Sequence, residues 1–260
     1  MIPYGKHFID EDDISAVIDV LKSSNLTQGP AVDKFEKDIA NFVGAKYAVA
    51  VSSATAGLFL STNALTEESE ETSFYTSPIT FVASSNSALY CGLQPFFVDV
   101  EEDTVNICPS QLQEKISTDS NKVKIIMPVH FAGLPCNMDK ISKIASNSGA
   151  VIVEDAAHAL GAKYECGSMV GSCKYSTCTV FSFHPVKNIS TGEGGVITTN
   201  DQKLYSKLLR LRSHGINKLD DQMLINDQAY TDGEINPWYY EMQELGFHFR
   251  ITDIQAALGS

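Results

Sequence analysis

Apolar residues recur along this 260-residue chain with two distinct periods. Ile14, Val17, Ile18 and Leu21 share one face of a helix predicted over 12–22, with Asp10 placed to cap it and acidic residues in its first turn. After a break at 25–30, a second helix carries Val32, Phe35, Ile39 and Phe42 on one side and stops at Gly44. Short apolar runs then alternate with helical stretches. Strands are predicted over 47–51, 74–77, 96–100, 123–129, 151–154, 179–183 and 196–199, and helices over 54–65, 82–91, 109–116, 138–148 and 202–212. This alternation predicts an α/β fold, a seven-stranded, mostly parallel sheet with helices on both faces and a ligand site at the carboxyl ends of the strands. Residues 218–246 break the pattern, being polar and acidic and then aromatic at Pro237-Trp238-Tyr239-Tyr240. They read as an excursion loop, either a surface insertion or a flap between subunits. A helix resumes over 251–258, so the chain divides into 1–217, 218–246 and 247–260.

Composition narrows the function class. Nineteen basic against 32 acidic side chains give a net charge of −13, which argues against non-specific nucleic-acid or anionic-membrane binding. No apolar run is long enough for a bilayer, and the first seven residues lack a signal pattern, so a cytoplasmic location is expected. The six cysteines are scattered, with no C-x-x-C and no H-x-x-x-H, which predicts small core residues in a reducing compartment and no metal site.

Four strand-end segments carry polar groups that can converge. Ser52-Ser53-Ala54-Thr55-Ala56-Gly57 joins a strand to a helix, where it is either a plain N-cap or a phosphate cradle. In Ser77-Pro78-Ile79-Thr80-Phe81-Val82-Ala83, Phe81 opens a helix and is either a core aromatic or a stacking surface for a flat ligand. Glu154-Asp155-Ala156-Ala157-His158 places a carboxylate at the carboxyl edge of the sheet, suited to an acid–base role or to a protonated ring nitrogen. His158 reads as a ligand contact or a satisfied histidine. In the fourth, Phe181-Ser182-Phe183-His184-Pro185-Val186-Lys187-Asn188, Ser182 can reach a phosphate, and Pro185 stops the strand. The glycines 192, 194 and 195 then turn the chain into the next strand. On spacing alone Lys187 is either an exposed loop lysine or an amine desolvated enough to attack an aldehyde.

Taken together, Ser-Ala-Thr at 53–55, Glu-Asp-Ala-Ala-His at 154–158, and Phe-Ser-Phe-His-Pro-Val-Lys-Asn with Thr-Gly-Glu-Gly-Gly at 181–195 resemble the DegT-type nucleotide-sugar aminotransferases, from Tyr4 to Gly259. Leu26-Thr27-Gln28-Gly29-Pro30, Pro237-Trp238-Tyr239-Tyr240-Glu241 and 252–259 look like the pseudaminic acid branch of that family. The resemblance implies a fold-type-I large domain and the cofactor pyridoxal 5'-phosphate. It also implies a UDP-linked 4-keto-6-deoxy-N-acetyl-hexosamine aminated at C4, glutamate as donor, and a homodimer with a shared active site. Position by position it makes Lys187 the catalytic lysine bonded to the cofactor and Asp155 the partner of the ring nitrogen. Phe81 becomes the stacking aromatic, Ala54, Thr55 and Ser182 the phosphate contacts, and His158 the neighbour of the ring hydroxyl. The chain departs from the family at His248, within Gly246-Phe247-His248-Phe249-Arg250, where an Asn usually reaches the other subunit's cofactor phosphate. The family also continues into a smaller C-terminal domain, so a C-terminally truncated form is expected. Other readings remain open: another nucleotide sugar as substrate, or a non-catalytic dimerising homologue. A sugar dehydratase of the same scaffold would carry histidine at position 187.

Overall fold

The computed structural model describes residues 5–66, 71–121, 123–217 and 223–260. Two helices precede the sheet. In α1 (Glu11–Lys22) Asp10 accepts from the amides of Asp12 and Asp13, and Asp13 returns a bond to the Asp10 amide. α2 (Pro30–Val43) opens on proline at its first turn and closes at Gly44, whose φ of 78° suits glycine. The sheet and its helices follow as β1 (Tyr47–Val51), α3 (Ala54–Leu65), β2 (Thr72–Thr76), α4 (Ala83–Tyr90), β3 (Pro95–Phe97), α5 (Pro109–Ser117), β4 (Val123–Met127) and α6 (Met138–Ser148). Then come β5 (Val151–Asp155), β6 (Cys178–Ser182), β7 (Gly195–Thr199), α7 (Gln202–Arg212), the single turn α8 (Asn226–Ala229) and α9 (Asp253–Gly259).

Seven strands form one sheet in the order β1-β7-β6-β5-β4-β2-β3. β7 runs against both β1 and β6, while the pairs β6–β5, β5–β4, β4–β2 and β2–β3 are parallel. Successive strand residues point to opposite faces. Ala48, Ala50, Ile126, Ile152, Phe181 and Val196 therefore join one core cluster with residues of α2, α5, α6 and α9. Val49, Val51, Ile125, Met127, Val153, Val180 and Ile197 join the other with α3, α4 and α7. Burial on both faces explains why these strands read as continuous apolar runs.

Several expectations shift. Phe42 is 57% exposed, because the buried stripe of α2 advances from Ile39 by four residues to Val43. No residue of α1 is buried; it lies beside α9 with Ile14, Ile18 and Leu21 open to solvent. The strand expected at 96–100 is the short strand β3, at the edge of the sheet among the described residues, with Phe96 and Phe97 half-exposed. Cys166 is exposed and Cys91 and Cys108 are partly so, leaving Cys136, Cys173 and Cys178 as the buried thiols. The excursion has structure of its own, with residues 218–222 outside the described range. Ile216–Asn217 pairs with Glu241–Met242, Tyr230–Thr231 pairs with Glu234–Ile235, and Met223, Ala229 and Tyr239 form a small core. The Glu241 carboxylate holds this unit by accepting from the amides of Leu224 and Ile225 and from the Tyr239 hydroxyl. Among the described residues no helix is long and apolar enough to cross a membrane.

Phe35 is fully buried, edge-on to Phe183 with 5.1 Å between ring centroids. Phe35→Ala should cost about 3–5 kcal/mol in urea unfolding. Phe42→Ala, on the same helix, should change stability by no more than about 0.5 kcal/mol.

Candidate active site

The pleat of β5 sorts its last two residues. Glu154 shares the face of Ile152, and Asp155 shares the face of Val153, toward α3 and α4. The Asp155 backbone is clamped by neighbours on either side. Its amide donates to Pro128 O at 2.9 Å, its carbonyl accepts from His130 N at 3.0 Å, and the next amide, Ala156, donates to Val180 O at 2.9 Å. Its carboxylate, 5% exposed, accepts from Ser84 Oγ at 2.6 Å and from Ala157 N at 3.2 Å.

Lys187 enters from the loop between β6 and β7, near enough to feel the Asp155 charge. That loop is closed at its base, where Phe183 N donates to Gly194 O at 3.0 Å and Thr191 N to Phe183 O at 2.9 Å. Inside it the Lys187 amide donates to His184 O at 2.9 Å. The Lys187 side chain is partly buried, and its Nζ contacts Nε2 of His158. Burial pushes the Lys187 amine below the ordinary lysine value of 10.5, against the opposing pull of Asp155. Burial also lowers His158, the charge of Lys187 lowers it further, and Asp155 raises it. Asp155, His158 and Lys187 thus form one electrostatic group.

The other expected residues lie on the same rim. Ser182 ends β6 opposite Gly195 of β7, which in turn pairs with Val51 at the end of β1. A Cβ on Gly195 would stand 2.5 Å from the Ser53 carbonyl carbon and 2.6 Å from Ala54 N, so glycine lets the start of α3 sit directly on β7. Ser53 caps that helix by accepting from Ala56 N at 3.1 Å, and Gly57 N makes the first helical bond, to Ser53 O. The amides of Ala54 and Thr55 precede that bond and point out of the helix end toward the rim. Phe81 is 75% exposed, one residue before the N-cap Val82 rather than inside a helix, and its carbonyl accepts from Ser84 N. His248 is brought to the same corner by its neighbour, since Phe249 O accepts from Ser52 N at 2.8 Å. Its exposed ring lies against His214, 5.4 Å between centroids.

Two groups escaped the sequence reading. Ser84 lies one residue beyond the segment 77–83 and is a serine inside the helix predicted over 82–91, with nothing in the sequence to single it out. Glu154 was read with Asp155 as one acidic strand end, although the period of two separates them. Glu154 is fully buried and accepts from His130 Nε2 at 2.8 Å, Tyr164 OH at 2.7 Å, Ser176 Oγ at 2.5 Å and Thr179 Oγ1 at 3.0 Å. His130 Nδ1 accepts from Cys136 N at 3.1 Å, which puts the ring proton on Nε2, toward Glu154. Burial alone would raise the Glu154 carboxyl; the hydrogen bonds from His130, Ser176 and Tyr164 outweigh it and hold the group below its ordinary value. No cluster of His, Cys, Asp or Glu able to hold a metal is present among the described residues.

The sequence profile of the DegT/DnrJ/EryC1/StrS aminotransferase family matches residues 7–260. The chain is 40% identical to the spore coat polysaccharide biosynthesis protein SpsC of Bacillus subtilis, covering 99% of this chain and 62% of that one. It is 38% identical to a UDP-4-amino-4,6-dideoxy-N-acetyl-beta-L-altrosamine transaminase of Campylobacter jejuni, covering 100% of this chain and 63% of the other. Among solved structures, Helicobacter pylori PseC, an aminotransferase of pseudoaminic acid biosynthesis, superposes with a TM-score of 0.86 at 32% identity, over 99% of this chain and 63% of that one. The PMP-form of Spr1654 from Streptococcus pneumoniae, a putative sugar aminotransferase, gives 0.86 at 28% identity, over 100% and 66%. The chain therefore spans a little under two thirds of the length of these relatives.

Two measurements probe the site. Removing the buried acceptor in Glu154→Ala strands four donors and should cost about 3–5 kcal/mol of stability by denaturant unfolding. Acylation of Lys187, followed against pH by peptide mass spectrometry, should reach half its limiting rate below pH 10.5. Asp155→Asn removes the charge that favours the ammonium and should move that midpoint lower still. Between the lowered folded value and 10.5 the unfolded chain holds more protons at this lysine, so Lys187 makes stability rise with pH across that window.

Proposed function

The chain belongs to the DegT/DnrJ/EryC1/StrS aminotransferase family, and we propose that its rim site binds pyridoxal 5'-phosphate and serves amino-group transfer to C4 of a UDP-linked 4-keto-6-deoxy-N-acetyl-hexosamine, with glutamate as donor, in pseudaminic acid-type biosynthesis. The observation that carries this reading is the Lys187–His158 contact beside Asp155, an amine with a weakened hold on its proton next to a carboxylate.

The donor set suits that cofactor. Lys187 is the amine for its aldehyde and Asp155 the anion for its ring nitrogen. The amides of Ala54 and Thr55, with the Ser182 hydroxyl, suit its phosphate, since free N–H groups and the helix dipole favour an anion. Phe81, open to the rim, is assigned to one face of the ring, and His158 to the ring hydroxyl. His248 is assigned to the phosphate of a second copy, in a homodimer with a shared site. When bound, the cofactor supplies an aldehyde for an amine and a ring that accepts an electron pair. The chain itself supplies proton handling. Lys187 Nζ gives up a proton more readily than an ordinary lysine because burial weakens its hold, and His158 Nε2 is placed to share that proton. Asp155 stays fixed while this happens, held by two hydrogen bonds to its carboxylate.

The altrosamine transaminase of Campylobacter jejuni and Helicobacter pylori PseC support the sugar class. A different nucleotide sugar is the second reading, favoured by the 40% identity to SpsC.

Borohydride treatment of protein loaded with pyridoxal 5'-phosphate should attach the cofactor to the Lys187 peptide and remove a visible absorbance band. Lys187→Ala should show neither band nor label. Loaded protein that has not been reduced, given glutamate and the UDP-4-keto sugar, should yield 2-oxoglutarate and the 4-amino sugar. A label on another lysine, or normal transamination by Lys187→Ala, would overturn the proposal.

A further inference from the structure

Asp155 does not hold its position unaided. Ser84, in the first turn of α4, has no exposed surface, and its Oγ lies 2.6 Å from Asp155 Oδ2. A carboxylate only accepts, so the single Ser84 hydrogen points at Asp155 in preference to the Phe81 carbonyl at 3.3 Å. The Thr80 hydroxyl lies 2.7 Å from the same Ser84 oxygen. With the Ser84 hydrogen committed to Asp155, the Thr80 hydrogen must point at Ser84. The hydroxyls of Thr80 and Ser84 thus form a directed chain that ends on the carboxylate and begins on the loop that carries Phe81. Ala157 N takes Oδ1, so both oxygens are held and the carboxylate plane is set. The charged or titratable groups facing Asp155 are Lys187, from the loop after β6, and His158, from the turn after β5. Both lie on the rim side, while Ser84 approaches from the covering helix.

We propose that Ser84, oriented by Thr80, is a positioning residue that aims the Asp155 carboxylate at the ring nitrogen of the bound cofactor. The inference rests on the cofactor reading above. Its test is chosen to separate the two. Affinity is measured for pyridoxal 5'-phosphate and for its 1-deaza analogue, which has carbon in place of the ring nitrogen. Only the natural cofactor pairs with Asp155, so the ratio of the two dissociation constants reports that pairing, and any general loosening of the fold cancels in it. Ser84→Ala should reduce the ratio about tenfold, the scale of one charge-assisted hydrogen bond. Ser84→Thr, which restores a hydroxyl, should recover it. Thr80→Val, on the loop, should lower it in the same direction, so the idea stays testable if Ser84→Ala does not fold. Ser87→Ala is the control: Ser87 is buried on the same helix and donates to Ser84 O at 2.7 Å, without touching Asp155. It should leave the ratio unchanged. An unaltered ratio in Ser84→Ala or, where that variant does not fold, in Thr80→Val overturns the positioning role and leaves the cofactor reading intact. A wild-type chain that takes no label at Lys187 overturns both, and one that is labelled there yet shows no preference for the nitrogen-bearing ring overturns the positioning role alone.

Discussion

Everything at the rim depends on the last two residues of β5 being carboxylates on opposite faces of one strand. A buried carboxylate is costly unless every lone pair finds a donor. Glu154 meets that condition with donors from the loop after β4 (His130), the loop between β5 and β6 (Tyr164 and Ser176) and β6 itself (Thr179). Those segments are thereby tied to one point behind the sheet. The same strand end is held on its backbone by β4 on one side and β6 on the other. One residue later, Asp155 inherits a fixed backbone and needs only its carboxylate oriented. Rigidity behind the sheet and polarity in front of it have the same origin, a pleat with a period of two.

The second requirement is closeness between β7 and the start of α3. β7 is inserted antiparallel between β1 and β6, so its first residues meet the last residues of both neighbours. Gly195 lies there because any side chain would collide with the Ser53–Ala54 backbone. The reversal that carries the chain from β6 into β7 is also the loop that holds Lys187. A single topological step therefore places the lysine, the Ser182 hydroxyl and a helix N-terminus along one edge. α9 supports the arrangement from outside, with Gln255 Nε2 donating to Glu193 O at 2.9 Å and Asp253 accepting from the amides of Gly29 and Ala31.

The alternation of apolar runs and amphipathic stretches made the seven strands and the layer order legible, because both faces of the sheet are buried and its strands need little polar punctuation. Periodicity misled where one side of an element is open. Ile14, Ile18 and Leu21 of α1 are open to solvent, Phe42 sits one position off the stripe, and β3 is shortened at an edge. Segment 218–246 reads as an excursion loop because the strands found in its described part are two residues long and its core is three side chains, too small to produce a period. Of the candidate residues, Asp155, Lys187 and His158 stood out through residue type and position after strands. Ser84 did not, because a serine in a helix becomes informative only when its neighbour in space is known.

Residue order alone was enough to set the sheet-and-helix architecture, the strand ends as the edge that carries the candidate polar groups, and the motifs that mark the aminotransferase family, since all three follow from local pattern. Contacts between residues far apart in the chain were decided only by folding. The pairing of Ser84 with Asp155 across 71 positions, the meeting of Lys187 and His158 across 29, and the division of Glu154 from Asp155 into separate environments are of this kind. The physical reason is that hydrogen bonding and desolvation depend on distance in space. A linear pattern specifies which groups are available and which way each strand residue points, and packing determines which of them meet.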